Sequence, residues 1–534
     1  PVSVLRELGS HGLIPSRKAM PLLTSDSAGD KEAAVVALWN SRDLQDNFMA
    51  LDELRSLLDG TEEEKASAIT AFGFTNKESY AHSLVAYLDD PSPEMRRRAL
   101  ESIRMLVGPA SSRLIPRILR TMEHATEEER FKGIEILERI QDAESLFPLF
   151  RMAQDFNPRQ RRRVEMFARS LGLKSVPAIV AVLDNDNLPY RSRSLAARTL
   201  SHLSFAQLDS MVGDIVDREI ATCYLYLDRA YILQHSEDSS PALQLLGQFY
   251  QDMQRVTLEF LLELLALAGR IPDYEQIAAS LRSANPRTRG DSIETLEQSV
   301  HRTVFQKILP LVDSRPLEEK IQFYYRNFSS SRDSAQAILE KALKSKNDLE
   351  KAMAGQGLYE TRGEKSLDRI YRAEPFSGPV SRAVYLALSE GPEHPMNPVE
   401  KLNALKSEPI LGGLSVLNLR SPAMEASYHV ADNTTIYEKG APARSLFLAV
   451  EGQFQVNGSG RYGEVTGYEM LEALGRPGSL NNSSDGEGEG PFALRQATVT
   501  MKSGAYLEIP LSAIEEMLES DPQAAIAILE AAGK

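Results

Sequence analysis

The chain has 534 residues, with 60 Lys and Arg against 75 Asp and Glu, so its formal net charge is −15. Hydrophobic residues make up 42% of the sequence and charged residues 25%, which excludes a chain that is disordered throughout. At about 100–200 residues per domain, this length accommodates several domains, or one long repeat array with an additional domain.

Cysteine content and hydropathy narrow the class of protein further. The single cysteine, Cys223, excludes an internal disulfide and any metal centre built from several cysteines. The most apolar stretch, 256–269, is too short for a membrane span and contains Glu259 and Glu263, so it predicts a buried helix. The first residues lack the charged leader and apolar core of a secretory signal. Together these features predict a cytoplasmic protein.

The sequence pattern changes twice along the chain. Residues 1–30 are rich in Gly, Pro and Ser and show little periodicity, so we predict an N-terminal arm there. From about 31 to 395, apolar residues recur at spacings of three and four between short turns, which predicts helices almost throughout. After about residue 430, short runs of β-branched and aromatic residues with Gly-rich turns predict strands. A helix beginning near Leu511 closes the chain.

The helical part contains an internal repeat of about 30 residues, the size of a helical hairpin. Apolar helices with an early proline recur in LIPRIL (114–119), LFPLF (146–150) and VPAIV (176–180). Second helices carry an arginine followed by a small or apolar residue, and these arginines are Arg97, Arg130, Arg162 and Arg193. A hairpin of this length cannot bury its apolar face alone, so the hairpins must stack on one another.

These features resemble HEAT repeats, whose hairpins carry an early proline, an Asp in the turn and an Arg in the second helix. The resemblance is good for about 75–205 and weaker for about 30–75 and 255–395. It implies an α-solenoid over 31–395, whose concave face holds protein partners.

The segment FLLELLALAGRIPDYEQIAASLRSANPRTRGDSIETLEQ (260–298) has a further resemblance. Together with LPLVD (309–313), it is similar to the helical region of bacterial proteins that join HEAT repeats to a cyclic-nucleotide-binding-like domain. Some of those proteins also carry a nucleotide-transporter-like membrane domain. The resemblance therefore leaves open a regulatory role in a membrane transport assembly, at the periphery of the inner membrane.

The stretch 400–534 resembles a cyclic-nucleotide-binding domain, which is a β-roll preceded by a helical lead-in. The resemblance rests on LKSEPILGGLSVLNL (405–419) and IYEKGAPARSLFLAVEGQFQV (436–456). The residues at the family's turn and inward strand positions are Gly440, Pro442, Leu446, Phe447 and Gly452. The implied fold class is mostly α, with a HEAT-like α-solenoid followed by this C-terminal β-roll.

The same resemblance implies a nucleotide pocket. In the family, a glutamate binds the ribose hydroxyl, helix N–H groups face the cyclic phosphate, and an arginine neutralises it. GYEMLEAL (467–474) is similar to the beginning of that segment, and RQATV (495–499) is similar to its end. The implied pocket residues are Glu472 at the ribose, Arg495 at the phosphate, and Gln496, Ala497 and Thr498 beside it.

Three departures from the family pattern argue against nucleotide binding. Leu471 stands where the family has a glycine, and its side chain would intrude where the backbone approaches the sugar. Leu494 replaces the proline before Arg495. An acidic insert, 475–493, would place negative charge near an incoming phosphate unless the loop swings away. We therefore predict a degenerate nucleotide-sensing domain. In the alternative interpretation, a regulator gated by cyclic nucleotide, the ligand is a cyclic nucleotide.

Arginine clusters recur at the repeat spacing in 95–99, 159–164 and 190–198, and clustered cations attract nucleic-acid backbones. The negative overall charge and the lack of interleaved aromatic residues favour a structural ladder instead, in which these arginines pair with acids of the turns. The candidate acids are Asp89, Asp184 and Asp186. An anionic partner surface is the second interpretation, and nucleic acid is the least favoured partner.

No sequence pattern indicates catalysis. No two of the eight histidines have metal-ligand spacing, and no nucleophile or phosphate-loop motif occurs. The tyrosine-rich stretch 223–231 favours core packing over a cofactor site. We therefore predict a non-enzymatic scaffold or adaptor without a metal or resident cofactor, which binds protein partners. The alternatives are a cyclic-nucleotide-gated regulator and a soluble part of a membrane transport assembly.

Overall fold

The structure is a computed structural model of the chain. It describes residues 2–123, 125–283, 285–328, 332–366, 368, 370, 378–391, 395–457, 461–465, 469–471, 495 and 497–532. These residues are mostly helical, with an antiparallel sheet near the C-terminus, as the sequence predicts. They form two compact units, Pro1–Gly213 (unit 1) and Asp214–Lys534 (unit 2).

Unit 1 is built from short helices joined by tight turns. Its α-helices are α1 (Val2–Ser10), α2 (Ser16–Ala19), α3 (Ala28–Trp39), α4 (Leu44–Leu58), α5 (Glu62–Gly73), α6 (Ser79–Leu84), α7 (Pro93–Leu106), α8 (Ile115–Glu123), α9 (Glu127–Ile140), α10 (Leu146–Arg151), α11 (Pro158–Ser170), α12 (Val176–Leu183) and α13 (Tyr190–Leu203). Several are preceded or followed by 3-10 turns, which are Met20–Thr24, Val85–Asp89, Pro109–Leu114, Ala143–Ser145, Met152–Asp155 and Gly172–Ser175.

The first residues do not form an extended arm, because α1 packs against α3. The guanidinium of Arg6 pairs with the buried carboxylate of Glu32 at 2.7 Å. Gly9 lies so close to Ala37 that an added Cβ would come within 3.1 Å of its backbone and side chain. Burial raises the pKa of Glu32, so the Arg6 pair compensates a charge that is costly to bury. The helix is too short to establish a clear period in the sequence.

The prolines of the repeat lie where a helix tolerates them. Pro116, Pro148 and Pro177 fall in the first turns of α8, α10 and α12. The N–H groups of a first turn have no intrahelical acceptor, so proline loses no hydrogen bond there. Each of these helices is followed by a longer second helix, which is α9, α11 or α13.

An arginine at the fourth position of each second helix ties that helix to the preceding turn. Its guanidinium donates to a backbone carbonyl at or just after the end of the helix before it, where carbonyls lack intrahelical donors. The pairs are Arg96 Nη1 with Asp90 O (2.9 Å), Arg130 Nε with Met122 O (3.3 Å), Arg161 Nη1 with Phe156 O (2.5 Å) and Arg193 Nε with Leu183 O (3.1 Å).

The repeat arginines are therefore partly different from those expected. Arg130 and Arg193 take the predicted role, whereas Arg96 and Arg161 replace their neighbours Arg97 and Arg162. Arg97 is exposed and hydrogen-bonds Glu94 (Nε to Oε2, 2.9 Å). The bonds from Arg97, and from Arg98, lower the pKa of Glu94 to about 2. Runs of three arginines satisfy the sequence pattern in more than one register, so only the helix start settles which one ties the turn.

The predicted pairing of a repeat arginine with a turn acid is present between Arg193 and Asp186. The Nη2 atom of Arg193 lies 3.3 Å from Asp186 Oδ1. Asp89 instead pairs with Arg117, which belongs to the first helix α8.

We predict that Arg193→Ala lowers the free energy of unfolding of unit 1 by about 2–4 kcal/mol, because it removes the donor of a buried carbonyl and leaves a cavity. Arg193 is 1% exposed. The measurement is urea unfolding of the full chain followed by far-ultraviolet circular dichroism. The matched control is Arg162→Ala on the exposed face of α11, which should change stability by less than about 0.5 kcal/mol. Equal losses in the two variants would contradict the assignment.

Unit 2 begins within a long helix, α14 (Phe205–Gln234). Its further helices are α15 (Pro241–Leu267), α16 (Tyr274–Leu281), α17 (Pro286–Ser299), α18 (Arg302–Val312), α19 (Leu317–Asn327), α20 (Ala335–Leu343), α21 (Asp348–Arg362), α22 (Pro379–Glu390), α23 (Pro398–Ser407), α24 (Arg420–Glu425), α25 (Leu511–Ser520) and α26 (Pro522–Ala532), with a 3-10 turn at Gly363–Ser366.

The 30-residue rhythm is interrupted at α14 and α15. These helices have 30 and 27 residues, and no proline lies beyond the first turn of either. Most of these two helices falls in 205–255, where the sequence carries little of the repeat pattern predicted for the array over 31–395. The apolar stretch 256–269 falls mainly in α15, where Phe260, Leu261 and Leu262 are buried, so the predicted buried helix is confirmed.

The sheet consists of β1 (Ser427–Tyr437), β2 (Ser445–Asn457), β3 (Arg461–Val465), β4 (Glu469–Met470) and β5 (Thr498–Pro510). Its order is β1-β5-β2-β3, β4 also pairs with β2, and all pairs are antiparallel. Two glycines singled out in the sequence have positive φ, Gly440 at 88° and Gly452 at 114°. Gly452 faces Gly504 on β5, and a Cβ on either would lie 2.1 Å from a carbonyl oxygen of the opposite strand. Only glycine permits this approach.

The two faces of the sheet pack into two different apolar cores. Leu448, Leu507 and Ile509 belong to a large apolar core that includes buried residues of α14, α15 and α20 to α25. Phe447 and Met501 belong to a smaller cluster on the other face. Because the first core joins the sheet to helices that precede residue 400, the compact units divide at Gly213 and not at 395–400.

Within the described part of the chain, no single helix has the length and apolar composition needed to cross a membrane. The helices Pro158–Ser170 and Gly172–Leu183 satisfy that test only as a pair, by length and composition, with a bend of 117° between them.

Candidate functional site

The sequence-predicted pocket residues that the structure describes lie beside the smaller cluster of the sheet. The backbone of Arg495 pairs with the turn between β1 and β2. Its N–H donates to the carbonyl of Ala441 and its carbonyl accepts from the N–H of Gly440, both at 2.8 Å. Arg495 is therefore held as a short strand-like element against the turn that Gly440 makes.

The side chain of Arg495 makes its contacts within the fold. Its Cζ atom lies 4.4 Å from the ring centroid of Tyr437 and 5.1 Å from that of Phe447, which are cation–π distances. Its Nη2 atom donates to the carbonyl of Ser445, the first residue of β2. The residue is 7% exposed. In this arrangement two aromatic rings and a backbone oxygen, all from the sheet, surround the guanidinium.

Leu471 occupies the position where the family pattern has a glycine. Its side chain is fully buried in the smaller cluster, with Phe447, Ala449 and Met501. The Tyr437 hydroxyl donates to its carbonyl at 3.3 Å. The residue that departs from the family pattern therefore contributes to the core, and it anchors one of the rings that contact Arg495.

The remaining predicted residues are only partly placed. Ala497 packs against the same cluster, and the hydroxyl of Thr498 accepts the N–H of Lys439 at 3.0 Å. Glu472 and Gln496 lie outside the described residues, as does the acidic insert 475–493. The structure thus brings Arg495, Ala497 and Thr498 together, and their binding of a nucleotide stays a prediction.

Sequence reasoning missed the partners of Arg495. Phe447 was predicted to point inward, but nothing in the sequence indicated that its ring and that of Tyr437 would contact the arginine. The available signal was an aromatic residue at the end of β1 and another near the start of β2, because the short connection 438–444 keeps these two strand ends close although β5 separates the strands.

The second candidate is the charged surface of the second helices in unit 1. Acids of α9 lie between arginines of α7 and α11. Glu135 is 3.7 Å from Arg104 of α7 and 3.6 Å from Arg163 of α11. Arg163 also lies 2.5 Å from Glu138. These pairs link neighbouring second helices through glutamates of α9, whereas the predicted ladder paired the clustered arginines with turn aspartates.

Other arginines add positive charge outside these pairs with Glu135 and Glu138. Arg159 and Arg162 are exposed on α11, and the guanidinium of Arg159 lies over the ring of Phe131 at 4.4 Å. Burial, and then the nearby positive charges of Arg191 and Arg198, lower the pKa of Arg161.

Residues 93–203 carry 20 Lys and Arg against 14 Asp and Glu, which gives this segment a net charge of +6. Because the whole chain has a net charge of −15, the rest of the chain carries −21.

Across the residues that the structure describes, no group of three or more His, Cys, Asp and Glu side chains could hold a metal ion. Cys223 is buried, and burial raises the pKa of its thiol well above the ordinary value. A thiol with a raised pKa is a poor nucleophile at neutral pH.

No protein-family model matches the sequence, and no curated protein matches it. Among solved structures, the chain is similar to the crystal structure of the N-terminal domain of a transcriptional regulator from Streptomyces coelicolor A3(2). The match has 18% sequence identity, covers 24% of this chain and 87% of that chain, and has a TM-score of 0.18. A likeness at this TM-score supports no conclusion about fold or function.

We predict that Arg495→Ala lowers the stability of unit 2 by about 2–3 kcal/mol, because two ring contacts and the donor of the Ser445 carbonyl are lost together. Urea unfolding monitored by near-ultraviolet circular dichroism measures the change. Lys502→Ala, at an exposed position of β5, is the control and should have an effect below about 0.5 kcal/mol. An Arg495→Ala protein as stable as the control would show that the guanidinium is not part of the core.

Proposed function

We propose that the chain is a non-enzymatic scaffold that binds protein partners through the repeat surface of unit 1. In this proposal the helical hairpins form a HEAT-like solenoid, and the C-terminal sheet is a degenerate relative of cyclic-nucleotide-binding domains. The observation that carries the proposal is the repeated arginine tie. Four successive second helices are fixed to their turns in the same way, which produces a regular and rigid series of helix faces.

The charge of those helix faces supports an acidic protein partner. The segment 93–203 is basic in an otherwise acidic chain, and Arg159 and Arg162 are exposed near the start of α11. Complementary charge speeds encounter and selects among partners more than it adds affinity. An acidic partner would therefore associate faster at low ionic strength than at high ionic strength.

The surroundings of Arg495 support the loss of nucleotide sensing. A phosphate would have to reach a guanidinium that is 7% exposed and already contacts the Ser445 carbonyl and two aromatic rings, and Leu471 would still fill the space that the family keeps open for the sugar. The cost of withdrawing Arg495 from these contacts would reduce nucleotide affinity.

The partner surface is tested by quantitative affinity capture with the full chain and the double variant Arg159→Glu/Arg162→Glu. The extract comes from cells that contain the protein and includes a solubilised membrane fraction. We expect at least one acidic protein that the wild-type chain retains in stoichiometric amount and the variant loses by about tenfold or more.

The matched control for this capture is Lys344→Glu/Lys346→Glu, which makes the same charge change at exposed positions of unit 2. It should retain the partner. Identical capture by all three proteins, or the absence of any stoichiometric partner, would refute the scaffold proposal. If nuclease removed the variant-sensitive species, the partner would be a nucleic acid, which also refutes it.

For nucleotide sensing, we predict no measurable heat when the full chain is titrated with cyclic AMP or cyclic GMP at up to ~100 µM protein, which corresponds to dissociation constants weaker than about 1 mM. The full chain is required because one face of the sheet shares its core with preceding helices. Saturable binding that Arg495→Ala abolishes would replace the degenerate domain with a nucleotide-gated regulator.

A further inference from the structure

A groove in unit 2 lies between α18 and α19, away from the residues predicted from the sequence. Its volume is about 440 Å³, within the range of sites that hold small molecules, about 300–1,000 Å³. Gln306, Leu309 and Pro310 contribute from α18, and Phe323 and Asn327 contribute from α19.

The groove coincides with a break in the hydrogen bonds of α18. Pro310 lies inside this helix and has no N–H, so the Gln306 carbonyl lacks the donor four residues ahead. The next carbonyl, that of Lys307, accepts the Tyr224 hydroxyl of α14 at 2.8 Å. The wall of the groove is thus fixed to a neighbouring helix, and it offers an acceptor of its own.

Among the described residues that line the groove, two are cations and none is an acid. Lys307 pairs with Asp217 (Nζ to Oδ1, 2.6 Å), and Arg315 pairs with Asp313 (Nε to Oδ2, 2.7 Å). Neither acid is among the lining residues. An ammonium has three donors and a guanidinium has five, so both cations keep donors beyond those used in these pairs. These remaining donors can bind a negatively charged ligand.

An aromatic ring stands on the opposite wall. Phe323 is partly exposed to the groove, and its ring packs on Tyr224 at a centroid distance of 5.6 Å. Tyr224 also packs on Tyr324 at 5.9 Å and on Phe328 at 5.4 Å, which fixes the position of the ring cluster. With Leu309 and Pro310, Phe323 forms an apolar surface against which a planar group can stack.

We propose that this groove binds a small organic anion that carries a planar ring. The ring packs against Phe323 and Pro310, and the anionic group lies at Lys307 and Arg315. A neutral aromatic molecule makes only the apolar contacts, and inorganic phosphate makes only the contacts with the cations. A ligand that carries both groups makes both kinds of contact at once.

The test uses 1-naphthyl phosphate, a fluorescent molecule with both groups, and measures its anisotropy on titration with the full chain. Neutral 1-naphthol and inorganic phosphate are the comparison probes. We expect saturable binding of 1-naphthyl phosphate at least about tenfold tighter than that of 1-naphthol, and weak competition by phosphate.

Three substitutions localise the binding. Lys307→Gln should weaken the binding of 1-naphthyl phosphate about fivefold, because one cation is lost. Phe323→Leu should weaken it by a similar factor without changing the competition by phosphate. Asp217→Asn should strengthen it about two- to threefold, because it removes the acid that competes for Lys307, and Asp217 itself does not line the groove. Lys344→Gln, an exposed position of unit 2, should leave the affinity unchanged.

The opposite signs expected for Lys307→Gln and Asp217→Asn keep the test independent of folding, since both positions are partly exposed and a damaged protein would weaken binding in each case. The proposal is overturned by any of three results. These are no saturable binding up to ~5 mM, equal affinity of wild type and Lys307→Gln, and 1-naphthol binding as tightly as its phosphate.

Discussion

A helix or strand that ends inside a protein leaves carbonyl groups without backbone donors, and the way this chain supplies those donors organises both of its units. In unit 1 the donors are the guanidinium groups at the fourth position of each second helix. In unit 2, Lys320 donates to carbonyls at the end of α18, and Lys406 donates to the carbonyls of Gly412 and Leu414. Arg495 does the same for the carbonyl that begins β2.

Because cations donate to backbone carbonyls in this way, the number of arginines overstates the positive charge that is available to a partner. Runs of arginine suggest a surface for an anionic partner, but one member of each run is committed to a turn, and Arg163 links neighbouring second helices through Glu135 and Glu138. The positive charge available to a partner is therefore smaller than the sequence count. It is concentrated where a run contains more arginines than its turn and neighbours require, as at Arg159 and Arg162.

The sequence indicated features that depend on local geometry. Proline in a first helical turn and glycine in a turn between strands are local requirements, so Pro177 and Gly440 were placed correctly, whereas Gly452 lies inside β2 opposite Gly504. Features that depend on partners distant in sequence were not predicted. The choice of Arg161 over Arg162 depends on where α11 begins, and the fusion of the sheet with earlier helices depends on core residues from across unit 2. The groove beside Pro310 has no motif, because it arises from the packing of α18, α19 and α14.

At the candidate nucleotide site, a ligand-binding arginine and a buried arginine would contribute differently to the stability of the fold. A phosphate-binding arginine keeps its donors available to the ligand, and that availability costs stability when the ligand is absent. Here Leu471 fills the smaller cluster, its carbonyl holds the Tyr437 hydroxyl, and that ring packs on Arg495. Each of these contacts stabilises the sheet without a ligand. On the proposed function, the leucine side chain at 471 and the inward position of Arg495 support each other through Phe447, whose ring lies in the cluster with Leu471 and contacts Arg495.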